Sequence, residues 1–305
     1  MKPKFIRLFL VLAVVASAFS VLPVQAGGSV VADLSLNAVQ TEMAAINALP
    51  AGKQAAEIQN YVARLPISAQ SRSLQGRAQK LAQSLGTASP AQTQAILQEL
   101  AQVSAQLGQD PAIAQFQNDL LSLSGSTPAV TGPAAFSSLV KGDILAENSG
   151  ASTPYPWTMV YQHTGNYYGN SQVYESNSDG VRLKPLSNWQ TKGVMVGLGR
   201  DNVVSASTMS AAVDWAAAKY GTNGKTPYNY IFWNKTTDAK LYCSQLTWKI
   251  NQHAGVNVDS NSVVYETWAS AKYGAWVVNA IIVPAVAPDE VMLSPNVTVY
   301  STGVN

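Results

Sequence analysis

The chain has 305 residues, 47% of them hydrophobic and 12% charged, which is enough material for two folded domains. Lys and Arg number 19 against 17 Asp and Glu, but three of the cations fall in the first seven residues; the remainder balance 16 to 17 with no basic cluster, which argues against nucleic acid or an anionic membrane surface as a partner. One cysteine in the whole chain excludes an intrachain disulfide framework.

Residues 1–26 have the pattern of a secretory signal peptide. Lys2, Lys4 and Arg7 make a positive start, Leu8 to Val15 an apolar core, and Val24-Gln25-Ala26 a small-x-small cleavage site. Pro23 breaks the apolar run too early for a membrane span, and no cysteine follows to carry a lipid. The expectation is an exported protein (secreted, periplasmic or cell-surface) with no integral span after cleavage. A free thiol in an oxidising compartment calls for a reason, and catalysis is one.

Residues 27–123 predict a small all-α bundle of five helices. Leu36, Val39, Met43, Ile46 and Leu49 make the first apolar stripe, stopped by Pro50; Ile58, Val62 and Leu65 make the second, stopped by Pro66. Leu74, Leu81 and Leu85 form a weaker third stripe ending at Gly86. Ser89-Pro90 and Asp110-Pro111 are N-cap and first-turn proline signatures that open the fourth and fifth helices. No ligand cluster or catalytic pair stands in this part. It reads as a packing or spacer module, with an inhibitory pro-segment or a wall- or partner-binding module as alternatives. Residues 124–139, rich in small and turn-forming residues, read as a linker.

All seven tryptophans lie beyond residue 150, in the second domain, 140–305. Gly142-Asp143-Ile144-Leu145 is a turn running into a strand. Trp157 to Tyr168 alternates as an extended segment with Trp157, Met159, Tyr161 and His163 on one face, and Gly169-Asn170 turns it into a returning strand at Gln172 to Ser176. Val194 to Leu198 is another strand, Thr208 to Tyr220 a helix stopped by Gly221, and Val277 to Val283 reads as a buried strand.

Cys243 stands where an extended apolar approach gives way to a helix, because Leu246 and Ile250 share a helical face and Gly255 stops it. A helix N-terminus biases a thiol toward thiolate, the form that attacks carbonyls; the competing reading is a buried, inert cysteine. Of the two histidines, His253 is ten residues along the same helix, about 15 Å away, and caps the C-terminal end. His163 is left as the base. A hairpin centred on residue 169 sets Glu175 opposite His163, where its carboxylate fixes the imidazole tautomer.

The set Gly142-Asp143-Ile144-Leu145, His163-Thr164-Gly165-Asn166-Tyr167-Tyr168-Gly169, Val173-Tyr174-Glu175, Gly180-Val181, Tyr228-Asn229 and Tyr242-Cys243-Ser244-Gln245-Leu246 resembles, in this order, the circularly permuted NlpC-like papain-fold cysteine peptidases of the YiiX/YaeF type. The resemblance covers roughly residues 140–295. It implies an α+β fold, an antiparallel sheet packed on a cysteine-bearing helix, with the histidine strand preceding the cysteine helix. It implies Cys243 as nucleophile, His163 as general base and then acid, Glu175 as the orienting residue, and Asp143 in a structural or supporting role. Thr164 departs from the pattern, which more often has an apolar residue there. The implied substrate is a peptide or acyl amide, with peptidoglycan stem peptides as the class the wider family suggests, and no cofactor or metal is called for. Two alternatives stay open: a thiol acyltransferase or lipid amidase or esterase of the same fold, and a non-catalytic secreted binding protein. The glycine-containing run at Gly197 to Asn202 lacks the third glycine of a dinucleotide fingerprint.

Overall fold

The computed structural model describes residues 31–124, 133–148, 156–191 and 194–305; the expected leader at 1–26 and residues 125–132 of the expected linker lie outside them. Residues 31–305 form one compact unit. Its first layer is helical: α1 (Leu36–Asn47), α2 (Ala51–Arg64), α3 (Ala69–Leu85), α4 (Pro90–Leu107) and α5 (Pro111–Ser124). The caps form as the sequence dictates. The Ser89 hydroxyl accepts from Gln92 N–H while Gln92 Oε1 accepts from Ser89 N–H. Asp110 Oδ1 accepts the N–H groups of Ala112 and Ile113, and its Oδ2 accepts from Ser68 N–H, pinning the start of α3 to that of α5.

The second layer holds β1 (Ile144–Glu147), β2 (His163–Gly169), β3 (Gln172–Asn177), β4 (Gly180–Pro185), β5 (Met195–Asp201), α6 (Ala206–Tyr220), α7 (Cys243–His253), α8 (Val263–Tyr273), α9 (Ala275–Val277), α10 (Pro288–Leu293) and β6 (Val297–Val304). The strands form one antiparallel sheet in the order β4-β3-β2-β1-β5-β6. The alternation of β1 decides which side chain faces which layer. Ile144 and Ala146 join Trp248 of α7 in one cluster, whereas Leu145 joins Val173, Trp189, Val196 and Leu198 on the opposite face.

The helical layer and the sheet layer meet through α8. Val39, Ile46, Ile58, Leu100 and Phe116 of the front helices are buried in the same cluster as Tyr265, Trp268 and Tyr273 of α8 and Trp157 and Phe232. Each fully buried aliphatic or aromatic side chain in it contributes roughly 1.5–3 kcal/mol, so this shared core binds the layers firmly. Among the described residues no helix is long and apolar enough to cross a membrane.

Two elements differ from expectation. Val277 to Val283 is helical, α9 continuing into a π turn at Val278–Ile282, because Gly274 (φ 86°) turns the chain back over α8, away from a sheet edge. With no strand to pair with, a buried apolar run satisfies its backbone groups internally. The extended segment expected from Trp157 enters the sheet only at His163, since the N–H groups of Met159, Val160 and Tyr161 go instead to the Asp289 carboxylate of α10.

Candidate active site

Cys243 is the first residue of α7, whose N-cap is the extended Tyr242. Tyr242 is fixed from both ends: its hydroxyl accepts from Val286 N–H at 2.9 Å, and its own N–H donates to Gln245 Oε1 at 3.2 Å. Gln245 is fully committed. Its oxygen also accepts from Asn229 Nδ2, and its Nε2 donates to the Lys235 and Thr237 carbonyls, each at 2.9 Å. These bonds fasten the segment carrying Asn229, Lys235 and Thr237 to the helix start and hold the thiol at the sheet.

His163 is the first residue of β2, and its Nε2 lies 3.3 Å from Glu175 Oε2 on β3. The pairing differs in register from the hairpin centred on residue 169. Asn166 lies opposite Tyr174 and Gly165 opposite Glu175, with a bulge between Tyr167 and Gly169. The turn takes the extra room because Gly169, Asn170 and Ser171 all adopt positive φ, 99°, 52° and 55°. The displacement is two residues, one full strand period, so His163 and Glu175 keep the same face and meet diagonally. Gly165 makes that diagonal passable: a Cβ there would stand 2.7 Å from Val173 Cγ1, 3.1 Å from Trp189 Cζ2 and 3.2 Å from Glu175 Cβ.

Trp189, absent from the residues expected at the site, completes this side. Its Nε1–H donates to Glu175 Oε2 at 2.9 Å, and its ring stacks on the imidazole at 5.1 Å between centroids and 22° between planes. Asn177 Nδ2 donates to Glu175 Oε1 at 2.9 Å. Glu175 thus accepts on both oxygens, and with Oε2 an acceptor toward His163 the imidazole Nε2 is assigned the proton. That tautomer leaves the Nδ1 lone pair as the base. Trp189 lies in a short 3-10 turn, Leu186–Gln190, where no periodicity points to it; a glycine inside the histidine strand is the nearest sequence signal that a bulky group packs there.

Cys243 is fully buried and His163 is 2% exposed. Nδ1 has no other hydrogen-bond partner, and the imidazole and thiol are close enough to shift each other's titration. Burial alone would raise the thiol pKa, but His163 and the N–H groups of Thr164 and Ser244 overcome it and the net direction is down. For His163, burial favours the neutral ring, yet the Cys243 thiol and the Glu175 carboxylate push its pKa well above the ordinary value. The pair therefore leans toward thiolate and imidazolium. Tyr228, buried to 3% exposure, is a further member: burial and the Cys243 thiol both raise its hydroxyl, which has no ordinary hydrogen-bond partner. It is a protonated donor beside the sulfur. Thr164, the departure from the resemblance, points to the other side of β2 and meets Thr247 of α7 at 3.1 Å.

Asp143 is structural. It accepts two hydrogen bonds from Arg200, at 2.7 Å each, and one from the Tyr300 hydroxyl at 2.9 Å, locking β1 to β5 and β6. His253 ends α7 and stacks on Trp215 at 3.8 Å, far from the thiol along the helix. Among the described residues no three His, Cys, Asp or Glu side chains are grouped to hold a metal ion.

Residues 138–300 match the family model described as permuted papain-like amidase enzyme, YaeF/YiiX, C92 family. The chain is 32% identical over 128 residues to the uncharacterized protein YycO of Bacillus subtilis (strain 168), an alignment spanning 40% of this chain and 47% of YycO, about half the length of that relative. Among solved structures it is similar to metalloprotein yiiX from Escherichia coli O157:H7, at 23% identity and a TM-score of 0.35, over 52% of this chain and 94% of that one.

Proposed function

The chain belongs to the permuted papain-like amidase family of the YaeF/YiiX type, and on that premise we propose that it is an exported cysteine hydrolase that cleaves amide bonds through Cys243, His163 and Glu175. The observation that carries the proposal is the coupled pair: a thiol lowered by an imidazole whose other nitrogen rests on a buried glutamate. In the reaction the Cys243 thiolate adds to the scissile carbonyl. The carbonyl π electrons move to oxygen, where the Cys243 N–H at the helix start and the Tyr228 hydroxyl are the available donors. His163, protonated at Nδ1, then gives its proton to the departing amine as the C–N bond breaks, leaving a thioester. Water, deprotonated by the same nitrogen, hydrolyses that thioester and restores the thiol. Glu175 keeps the imidazole in this orientation throughout.

The substrate class proposed is the cell-wall stem peptide, and the supporting sign for export is the leader pattern of Lys2, Lys4, Arg7 and Val24-Gln25-Ala26. A second reading, hydrolysis or transfer of a fatty-acyl amide or ester, is favoured by the aromatic surroundings of the thiol: Phe232 packs at 5.4 Å on Tyr242, next to Cys243, and Trp157 at 5.7 Å on Phe232. The test is turnover of muropeptides against N-acyl lipids by wild type, Cys243→Ala and His163→Ala. The expected result is amide turnover abolished by Cys243→Ala and reduced about 10³-fold by His163→Ala. Release of acyl chains instead of peptide amines supports the second reading, and turnover that survives Cys243→Ala overturns both.

A further inference from the structure

The seven residues before His163 are held differently from everything around them. Met159, Val160 and Tyr161 donate their N–H groups to the Asp289 carboxylate at 2.7, 2.9 and 3.0 Å. The Pro156 and Trp157 carbonyls accept from the hydroxyls of Tyr273 at 3.1 Å and Tyr265 at 2.6 Å, and the Met159 carbonyl accepts from Gln117 Nε2 at 2.9 Å. Gln162 N–H alone among these bonds goes to the sheet, to the Glu147 carbonyl at 2.8 Å. The segment is therefore a strap tied by side chains of α5, α8 and α10, and its last residue brings a carbonyl oxygen to 4.0 Å from Cys243 Sγ.

In this arrangement a substrate carbonyl has no access to a thiol that is fully buried. Moving the sheet or α7 would break a whole backbone ladder and two cores, whereas moving the strap exchanges side-chain bonds and the single Gln162–Glu147 backbone bond, each worth about a factor of five in an equilibrium, and draws only Met159 and Tyr161 out of the cores in which they are buried. We infer that residues 158–162 form the gate over Cys243, hinged at the buried Trp157 and latched by Asp289, Tyr265 and the α5 residue Gln117. The inference rests on Cys243 being the nucleophile and gives the helical layer a role: α5 holds the site shut.

Several groups around the latch are poorly served while it is closed. Burial raises Asp289 to about 6 despite its three N–H donors and lowers Lys272 of α8, which faces it, to about 8. Tyr161 and Tyr273 also face Asp289, and the Tyr161 hydroxyl, seated against Gly197 of β5, is buried with no hydrogen-bond partner. Opening hydrates these groups and offsets part of the bonds given up, which is what a gate close to balance requires.

The experiment is the rate of Cys243 alkylation by iodoacetamide in the full chain at several pH values, for wild type, Tyr265→Phe, Gln117→Leu, the core variant Ile58→Val of α2 and His163→Ala, with the denaturant midpoint of each. Tyr265→Phe removes one latch, and Gln117→Leu removes another together with the acceptor of Trp268 Nε1–H, both at nearly constant volume. The expected result is slow labelling in wild type, about 100-fold below an exposed thiol of the same pKa, and about fivefold faster labelling in each latch variant, while Ile58→Val, which lowers the midpoint through the core, labels at the wild-type rate. Fast labelling of wild type, unchanged labelling in both latch variants, or equal acceleration in Ile58→Val would overturn the gate. His163→Ala separates the two readings: if its labelling has the same pH dependence as wild type the Cys–His mechanism fails, while the latch variants still report on the gate.

Discussion

Cys243 and His163 each begin a regular element, yet they are placed by different kinds of force. Cys243 is fixed mostly near its own helix start: Tyr242, Gln245 and the first turn of α7 are neighbours in sequence, braced by Val286, and the helix start supplies the Ser244 N–H that, with the Thr164 N–H of β2, favours the thiolate. His163 is fixed at long range, by Glu175 across a hairpin, by Trp189 stacked from a separate turn, and by Asp289 and Gln117 tying down the strap before it. The nucleophile thus depends on one helix and the loops bonded to its first turn, whereas the base depends on five elements remaining assembled. Changes on the histidine side should reach activity from further away than changes on the cysteine side.

The largest effect that sharpens this contrast is expected from Glu175→Gln. The amide keeps the size but can present an N–H where Trp189 and His163 both need an acceptor, leaving a buried donor unpaired. The expected outcome is a loss of about 10²-fold or more in kcat/KM with little change in KM, read from steady-state kinetics; an unchanged rate would mean that Trp189 alone orients the ring. Gly165→Ala comes next. Its Cβ would force Val173 to shift and press tightly on Trp189 and Glu175, so we expect a stability loss of roughly 1–3 kcal/mol by denaturant unfolding, accompanied by a weakened rate. Full activity in a destabilised variant would break the link between that packing and the base.

The smallest effect concerns the helical side. Burial raises Glu266 of α8 from 4.5 to about 7 and Asp289 to about 6. In both cases the folded form binds its proton more tightly than the unfolded chain. Their contribution to stability is full below about pH 4 and is lost as pH rises through about 6 to 7. The unfolding midpoint should therefore rise on going from pH 7.5 to pH 5, and Glu266→Gln should flatten that slope. A midpoint that falls over the same interval would place both groups in contact with water.

Much of this was legible in the residues. The five front helices follow from apolar spacing and from the Ser89-Pro90 and Asp110-Pro111 caps, because capping and helical periodicity act within a few residues. The cysteine helix, the histidine strand and the face shared by His163 and Glu175 follow for the same reason, since a period of two survives a register displacement of two. Tertiary structure decided the rest. The bulge after Tyr167 set the true register, and Asp289, 128 residues downstream of Tyr161, withdrew the alternating segment before His163 from the sheet. Absence of a neighbouring strand made Val278–Ile282 a π turn. The sequence carries local preferences and faces; which distant group satisfies each backbone N–H, and so whether the thiol lies open or closed, is settled only when the layers pack.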